Sequence, residues 1–206
     1  MEYPDFFNKV EPFILKDELS NFLGATKDGI VEISYLDCVK LASHSCPTVA
    51  SSYVVANVAL KELFGKDIPQ RGNIKVELKE PKDSGVTGVI GAVIGYICGA
   101  SDDGGFSGIG GKFNKRDLLK FSSSSNKGAI KITRLDSGSY IELNTDLSKV
   151  PGNPNMSTLM QKSLLGQASQ EEQNEFKRLW QARVEYILTN KDSWSEIAKI
   201  VNKDIL

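Results

Sequence analysis

An α+β fold is what this sequence predicts: a mixed or antiparallel sheet with helices packed on it, and a helical C-terminal extension. Three observations carry the expectation. Ile74, Val76 and Leu78 alternate with Lys75, Glu77 and Lys79, the period of a half-buried strand. Strand-like runs at 129–134 and 140–143 flank Asp136-Ser137-Gly138, which reads as a hairpin joining the strand at 74–78. The third observation is the tail, whose apolar residues recur at helical spacing from about residue 156 onward. The expected division is a core over 1–155 that begins with a helical arm, and an extension over 156–206 packed on the core or on a second subunit.

Taken in order, Phe6, Phe7, Val10, Phe13, Ile14, Leu19 and Phe22 recur at helical spacing. With Pro12 between them, they predict one or two short helices ending at Gly24. Residues 26–29 are a turn and 30–33 a short strand. Ser34 with Asp37 three residues on reads as an N-cap with its acidic partner, opening a helix from Tyr35 to about Ala42. Cys38 lies inside it and reads as a small buried thiol.

The stretch Ala42-Ser43-His44-Ser45-Cys46-Pro47 comes next, holding the only histidine and one of three cysteines. Pro47 suits the first helical position, where a missing N–H costs nothing. The helix behind it runs to Phe64, and Gly65 is its C-terminal glycine. Cys46 then stands at or beside the N-cap, where the helix dipole favours a thiolate. Imidazole and thiolate together suit zinc and neighbouring transition metals. A third ligand could be Cys98, an acidic side chain or a residue of another subunit. Two alternatives remain open: a histidine and cysteine that merely pack at a helix start, and a Cys46 thiol enzyme.

Residues 85–99 carry glycines at 85, 88, 91 and 95 among Val, Ile and Tyr. A helix is preferred there over a strand, and it requires something to approach its bare face closely, another backbone or a ligand. Residues 101–112 form a glycine-rich loop. Phe106 and Phe113 stand where the phosphate-binding loop pattern needs Gly and Ser or Thr, so that reading fails. Gly108, Gly110 and Gly111 could still line a ligand pocket through backbone amides. In the tail, a helix is expected over 156–165. Ser169 with Glu172 opens a long one striped by Phe176, Leu179, Trp180, Val184, Ile187 and Leu188, and a last amphipathic helix covers 193–201.

Bulk properties bound the rest. A net charge of -1 argues against nucleic acid as the main partner, since phosphate binding needs clustered Lys and Arg. The most apolar run, 86–100, falls short of the roughly 20 residues that cross a bilayer, so no membrane is expected. An odd number of cysteines without disulfide-domain spacing, and no signal-like N-terminus, predict a cytoplasmic protein with reduced thiols.

The stretch from Ala42 to Pro47, followed by Tyr53, resembles the His-Gly-His-x-Cys-Pro signature of the FmdE family, named for formylmethanofuran dehydrogenase. The resemblance extends over about residues 30–145. It implies an α+β core similar to the C-terminal, catalytic domain of glyceraldehyde-3-phosphate dehydrogenase, a homodimer, and zinc or a similar metal near the motif. On that reading His44, Cys46 and Cys98 are the metal ligands, and Tyr53, Gly108, Gly110 and Gly111 border the pocket of a small organic or one-carbon-carrier ligand. In an enzyme the metal would act as a Lewis acid or carry the attacking water. The alternative is a non-catalytic accessory subunit that docks a partner through its C-terminal helices. Ala42 stands where the family has its first histidine and Ala100 where it has a second cysteine. The C-terminal zinc finger of some members is absent, since the chain has no Cys-x-x-Cys.

Overall fold

Two sheets of unequal size organise the chain, whose computed structural model describes residues 2–206. The smaller pairs β1 (Phe13–Lys16), which is followed by the short helix α1 (Glu18–Phe22), with β2 (Ile30–Ile33) in antiparallel register, Phe13 opposite Ile33. Then come α2 (Tyr35–Ala42), α3 (Pro47–Phe64), β3 (Ile74–Leu78), α4 (Thr87–Cys98) and β4 (Leu119–Lys120). The hairpin β5 (Ile130–Arg134) and β6 (Tyr140–Thr145) follows, then α5 (Met156–Leu164), α6 (Gln170–Thr189), the single turn α7 (Trp194–Ile197) and β7 (Ala198–Asp204). The larger sheet has the order β4-β3-β5-β6-β7, with β3 and β4 parallel and the other neighbours antiparallel. The class is therefore α+β.

Helix α3 is the centre of the core. Val49, Tyr53, Val54, Val55, Ala56 and Ala59 are fully buried on it, and it packs on α2, α4, α6 and β6. A helix covered along most of its length has little room for a polar face, which is why its sequence is largely apolar, with exposed charges only at Lys61 and Glu62 near its end. The strand residues that face it, Ile132, Ile141 and Leu143, are equally buried. Among the described residues no helix is long and apolar enough to cross a membrane.

Both ends of the chain depart from expectation. The N-terminal segment is not a helical arm alone: between a 3-10 turn, Asp5–Lys9, and the short helix α1 the chain forms strand β1. Phe6, Phe7, Val10, Phe13 and Leu15 are buried, so this segment is core. The alternation Phe13-Ile14-Leu15-Lys16 is the strand signal, with Ile14 outward. At the other end, the helix expected over 193–201 stops after Ile197, and β7 crosses back to pair with β6. An extension that is helical to its end is therefore incorrect. The β-branched pair Ile200-Val201 suits the extended edge, and Lys199 and Lys203 anchor it to Asp146 and Glu62 at 2.6 and 2.7 Å.

The glycine-rich segment 85–99 is helical, as α4. Its glycines admit neighbours rather than bend the chain. A Cβ on Gly95 would sit 2.7 Å from the Ala100 carbonyl oxygen, and one on Gly91 would sit 2.8 Å from the Phe121 ring.

Candidate functional site

Local sequence positions the motif loop. Ser34 and Asp37 form the reciprocal cap of α2, Asp37 N–H donating to Ser34 Oγ at 3.2 Å and Ser34 N–H to Asp37 Oδ2 at 2.9 Å. At the far end Ser43 takes the left-handed conformation, φ +62°, which ends the helix and turns the chain toward α3. Cys46 is the N-cap of α3, its Sγ accepting Val49 N–H at 3.5 Å, and Pro47 is the first helical residue. The sulfur thus satisfies one of the free N–H groups at the helix start.

His44 is exposed, and its Nδ1 lies 2.7 Å from the Ala42 carbonyl oxygen. A carbonyl only accepts, so Nδ1 carries the proton and the neutral ring keeps its free lone pair on Nε2. Ser45 is held from three directions. Its carbonyl accepts Trp180 Nε1–H at 3.0 Å and Gln181 Nε2–H at 3.3 Å. Its hydroxyl donates to Gln181 Oε1 at 3.1 Å and stands 3.0 Å from the Tyr35 hydroxyl. Helix α6 therefore fixes the loop that carries His44.

Beside His44 opens a cavity of about 620 Å³, of the size that takes a small organic molecule. Tyr3, Phe7, Phe176 and Trp180 give it aromatic walls, and His44, Ser45, Gln181 and Lys177 supply its polar groups. Phe176 and Trp180 are ring neighbours with centroids 5.7 Å apart, the result of four-residue spacing on one helix face. The apolar stripe of α6 on its own reads both as core residues. Gln181 and the N-terminal aromatics give no sequence signal, because only the fold brings them to the motif. Trp180 does carry one hint: an indole N–H near the core needs an acceptor.

The other expected site residues lie elsewhere. Cys98 ends α4 fully buried, and burial pushes its thiol up to about 12. Cys38 is raised to about 12 for the same reason. Tyr53 is fully buried; its hydroxyl donates to the Glu11 carbonyl at 2.8 Å and its ring meets Phe13 and Tyr35. Gly108, Gly110 and Gly111 have positive φ and shape a tight turn in which Ile109 and Lys112 exchange backbone hydrogen bonds at 2.9 and 3.0 Å. Neither Cys46, Cys98, Tyr53 nor these glycines line the aromatic cavity. Among the described residues no three His, Cys, Asp or Glu side chains come together in a group that could hold a metal ion. The motif by itself offers two donors, His44 Nε2 and Cys46 Sγ, and a catalytic zinc usually takes three from protein.

A family model described as FmdE, Molybdenum formylmethanofuran dehydrogenase operon, matches residues 42–194. The match starts at the motif, runs through α6 and covers well over half of the chain, so the chain belongs to the FmdE family. No curated protein and no solved structure matches it.

Proposed function

We propose that this FmdE family member binds a small organic molecule with a flat, unsaturated body in the aromatic cavity beside His44. The observation that carries the reading is that the motif's histidine forms one wall of a cavity otherwise built largely from Tyr3, Phe7, Phe176 and Trp180. Offset or edge-on ring contacts favour an unsaturated ligand, and Lys177 suits an acidic substituent on it. His44 Nε2 can accept a hydrogen bond from the ligand, or take a proton from it if the ligand is transformed. The one-carbon carrier expected from the family is a ligand of this kind, and the likeness to the catalytic domain of glyceraldehyde-3-phosphate dehydrogenase belongs to the same reading.

The test is fluorescence titration with 1-anilinonaphthalene-8-sulfonate, a flat aromatic anion. Saturable binding at one site per chain is expected. Trp180→Ala should weaken it at least tenfold, and His44→Ala severalfold. Equal binding in both variants and the parent would overturn the reading.

Zinc or a similar ion enters this proposal as a guest of His44 and Cys46. Two side-chain donors do not make a self-contained centre, and no chemical step is routed through a metal. Among the described residues no group of three such side chains forms, so a ligand atom or a second copy would have to supply the third donor. Metal analysis of protein purified without a metal-affinity tag, beside Cys46→Ala, tests the point. Stoichiometric metal lost in the variant supports it, and no metal in the parent refutes it. All three cysteines are free and buried, which suits the reducing cytoplasm.

One observation favours a second reading, an accessory subunit that docks a partner through its tail. Helix α5 buries no residue, and Leu164 and Leu165 at its end are 79% and 69% exposed. A second copy of the chain, giving a homodimer, is the proposed partner. Light scattering on Leu164→Asp should then report a monomer where the parent is a dimer, and a monomeric parent would remove this reading.

A further inference from the structure

We infer that the protein carries a second ligand site, independent of the aromatic cavity, for the carboxylate or phosphate group of a small organic anion. It is a cavity of about 350 Å³ between α4 and the loop that follows it. Three cations line it, Arg71, Lys82 and Lys115, against one acid, Asp102.

Two of these cations, Arg71 and Lys115, also line a neighbouring cavity together with Asp17, and their pairing is unusual. Arg71 and Lys115 are only 17% and 15% exposed, and both turn to the same oxygen, Asp17 Oδ2. The other oxygen of Asp17 is committed to the start of α1, accepting Leu19 and Ser20 N–H at 3.1 and 3.3 Å. One carboxylate thus serves two half-buried positive charges. Part of the surplus meets the negative end of α4, because Arg71 also donates to the carbonyls of Tyr96 and Ile97 at 2.8 and 3.2 Å. Lys115 has no such second acceptor: among the described residues Asp17 is its one side-chain partner, although an ammonium has three N–H groups to give. Burial pulls the Lys115 ammonium below its ordinary range, and Asp17 offsets only part of that. An anion beside Lys115 and Arg71 would satisfy donors and charge together.

The remaining lining sets the ligand's shape. Tyr96 and Phe121 both line it, with the Arg71 guanidinium 5.9 Å from the first ring and the Lys82 ammonium 5.7 Å from the second. Lys82, bonded to Asp102 at 2.7 Å and 62% exposed, forms the rim. An acidic head beside Arg71 and Lys115 and a compact apolar body against Tyr96 and Phe121 fit this lining. The glycines of α4 make it possible. Gly88 lets the Lys82 carbonyl come within 2.8 Å of where a Cβ would be, and Gly91 does the same for Phe121. The bare face of the helix therefore draws in the two segments that frame the cavity.

The experiment is calorimetric titration of the full chain with inorganic phosphate, phenyl phosphate and benzoate, at constant ionic strength set with chloride. Phenyl phosphate or benzoate should bind saturably, with inorganic phosphate weaker; which aromatic anion binds tighter distinguishes phosphate from carboxylate recognition. Lys115→Gln should weaken binding at least tenfold, and Lys149→Gln, on a different surface, should leave it unchanged. Ala92→Phe fills the same cavity while keeping every charge, and should abolish binding even if Lys115→Gln proves unstable. Absence of saturable binding in the parent, or undiminished binding in Ala92→Phe, would overturn the inference.

Discussion

The motif loop at His44 and the glycine loop that follows α4 are both irregular segments beside a cavity, yet they are held in opposite ways. Ser45 is gripped by side chains from Tyr35, Trp180 and Gln181, two of them far along the chain. The glycine loop is held largely by its own backbone, with Lys115 N–H on Phe106 O at 2.9 Å, Ser101 N–H on Lys115 O at 2.9 Å and the Ile109–Lys112 turn between them. The position of His44 is thus a property of the whole tertiary structure, and that of the glycine loop a property of local φ angles. Damage to α6 should move the first and spare the second.

Substitutions can break or sharpen that contrast. The largest effect belongs to Gly108→Ala. Its φ is +93°, and the added Cβ would collide with the Lys112 carbonyl oxygen, so a loss of about 3 kcal/mol is expected in urea denaturation. The single histidine provides the second readout: its imidazole NMR signal should not move in this variant. Trp180→Ala should cost about 2 kcal/mol, less than a fully buried tryptophan, and should shift or broaden that same signal. Ser45→Ala removes the hydroxyl contacts alone and should cost about 1 kcal/mol, with a smaller change at His44. Gly110→Ala, with φ +56° but nothing within 4 Å of its Cβ, should cost only about 1 kcal/mol, the backbone cost alone. Equal losses at Gly108 and Gly110 would mean that the turn is not what holds the glycine loop.

The last effect appears only in acid and comes from Asp17, which ties the glycine loop to the small sheet through Lys115. Burial alone would raise its carboxyl, but the Lys115 and Arg71 cations and the Ser20 N–H hold it below its usual value. A folded value below the unfolded one means that the contribution is fully present above about pH 4 and lost as pH falls through the folded value. Acid titration followed by NMR should therefore loosen the residues around Lys115, and Asp17→Asn should remove that step.

Much of the local structure was legible in the residues themselves. Ser34 with Asp37, Cys46-Pro47 and Ser169 with Glu172 each mark a helix start that needs only neighbours in sequence. The strands at 74–78 and 130–134 announce themselves by alternation. What was not legible depended on distant partners. Phe6 and Phe7 have helical spacing but are buried by Tyr35 and its surroundings. The last strand sits where seven residues can choose helix or sheet according to whether an edge awaits them. The motif pointed to His44 and Cys46, but the groups that make His44 part of a cavity, Trp180, Gln181 and Phe176, lie on a helix far along the chain.

The strand order has a consequence for how the chain is made. β7 pairs with β6, but α5, α6 and α7 are all synthesised between them. At cellular translation speeds of about 5–20 residues per second, β6 waits on the ribosome for roughly 3–10 s with one edge open. During that interval the nascent protein presents an unpaired strand, and the helix that grips the motif loop is only beginning to emerge. Chaperone capture should therefore concentrate on chains arrested between Thr145 and Ala198, and release should follow the arrival of the final strand.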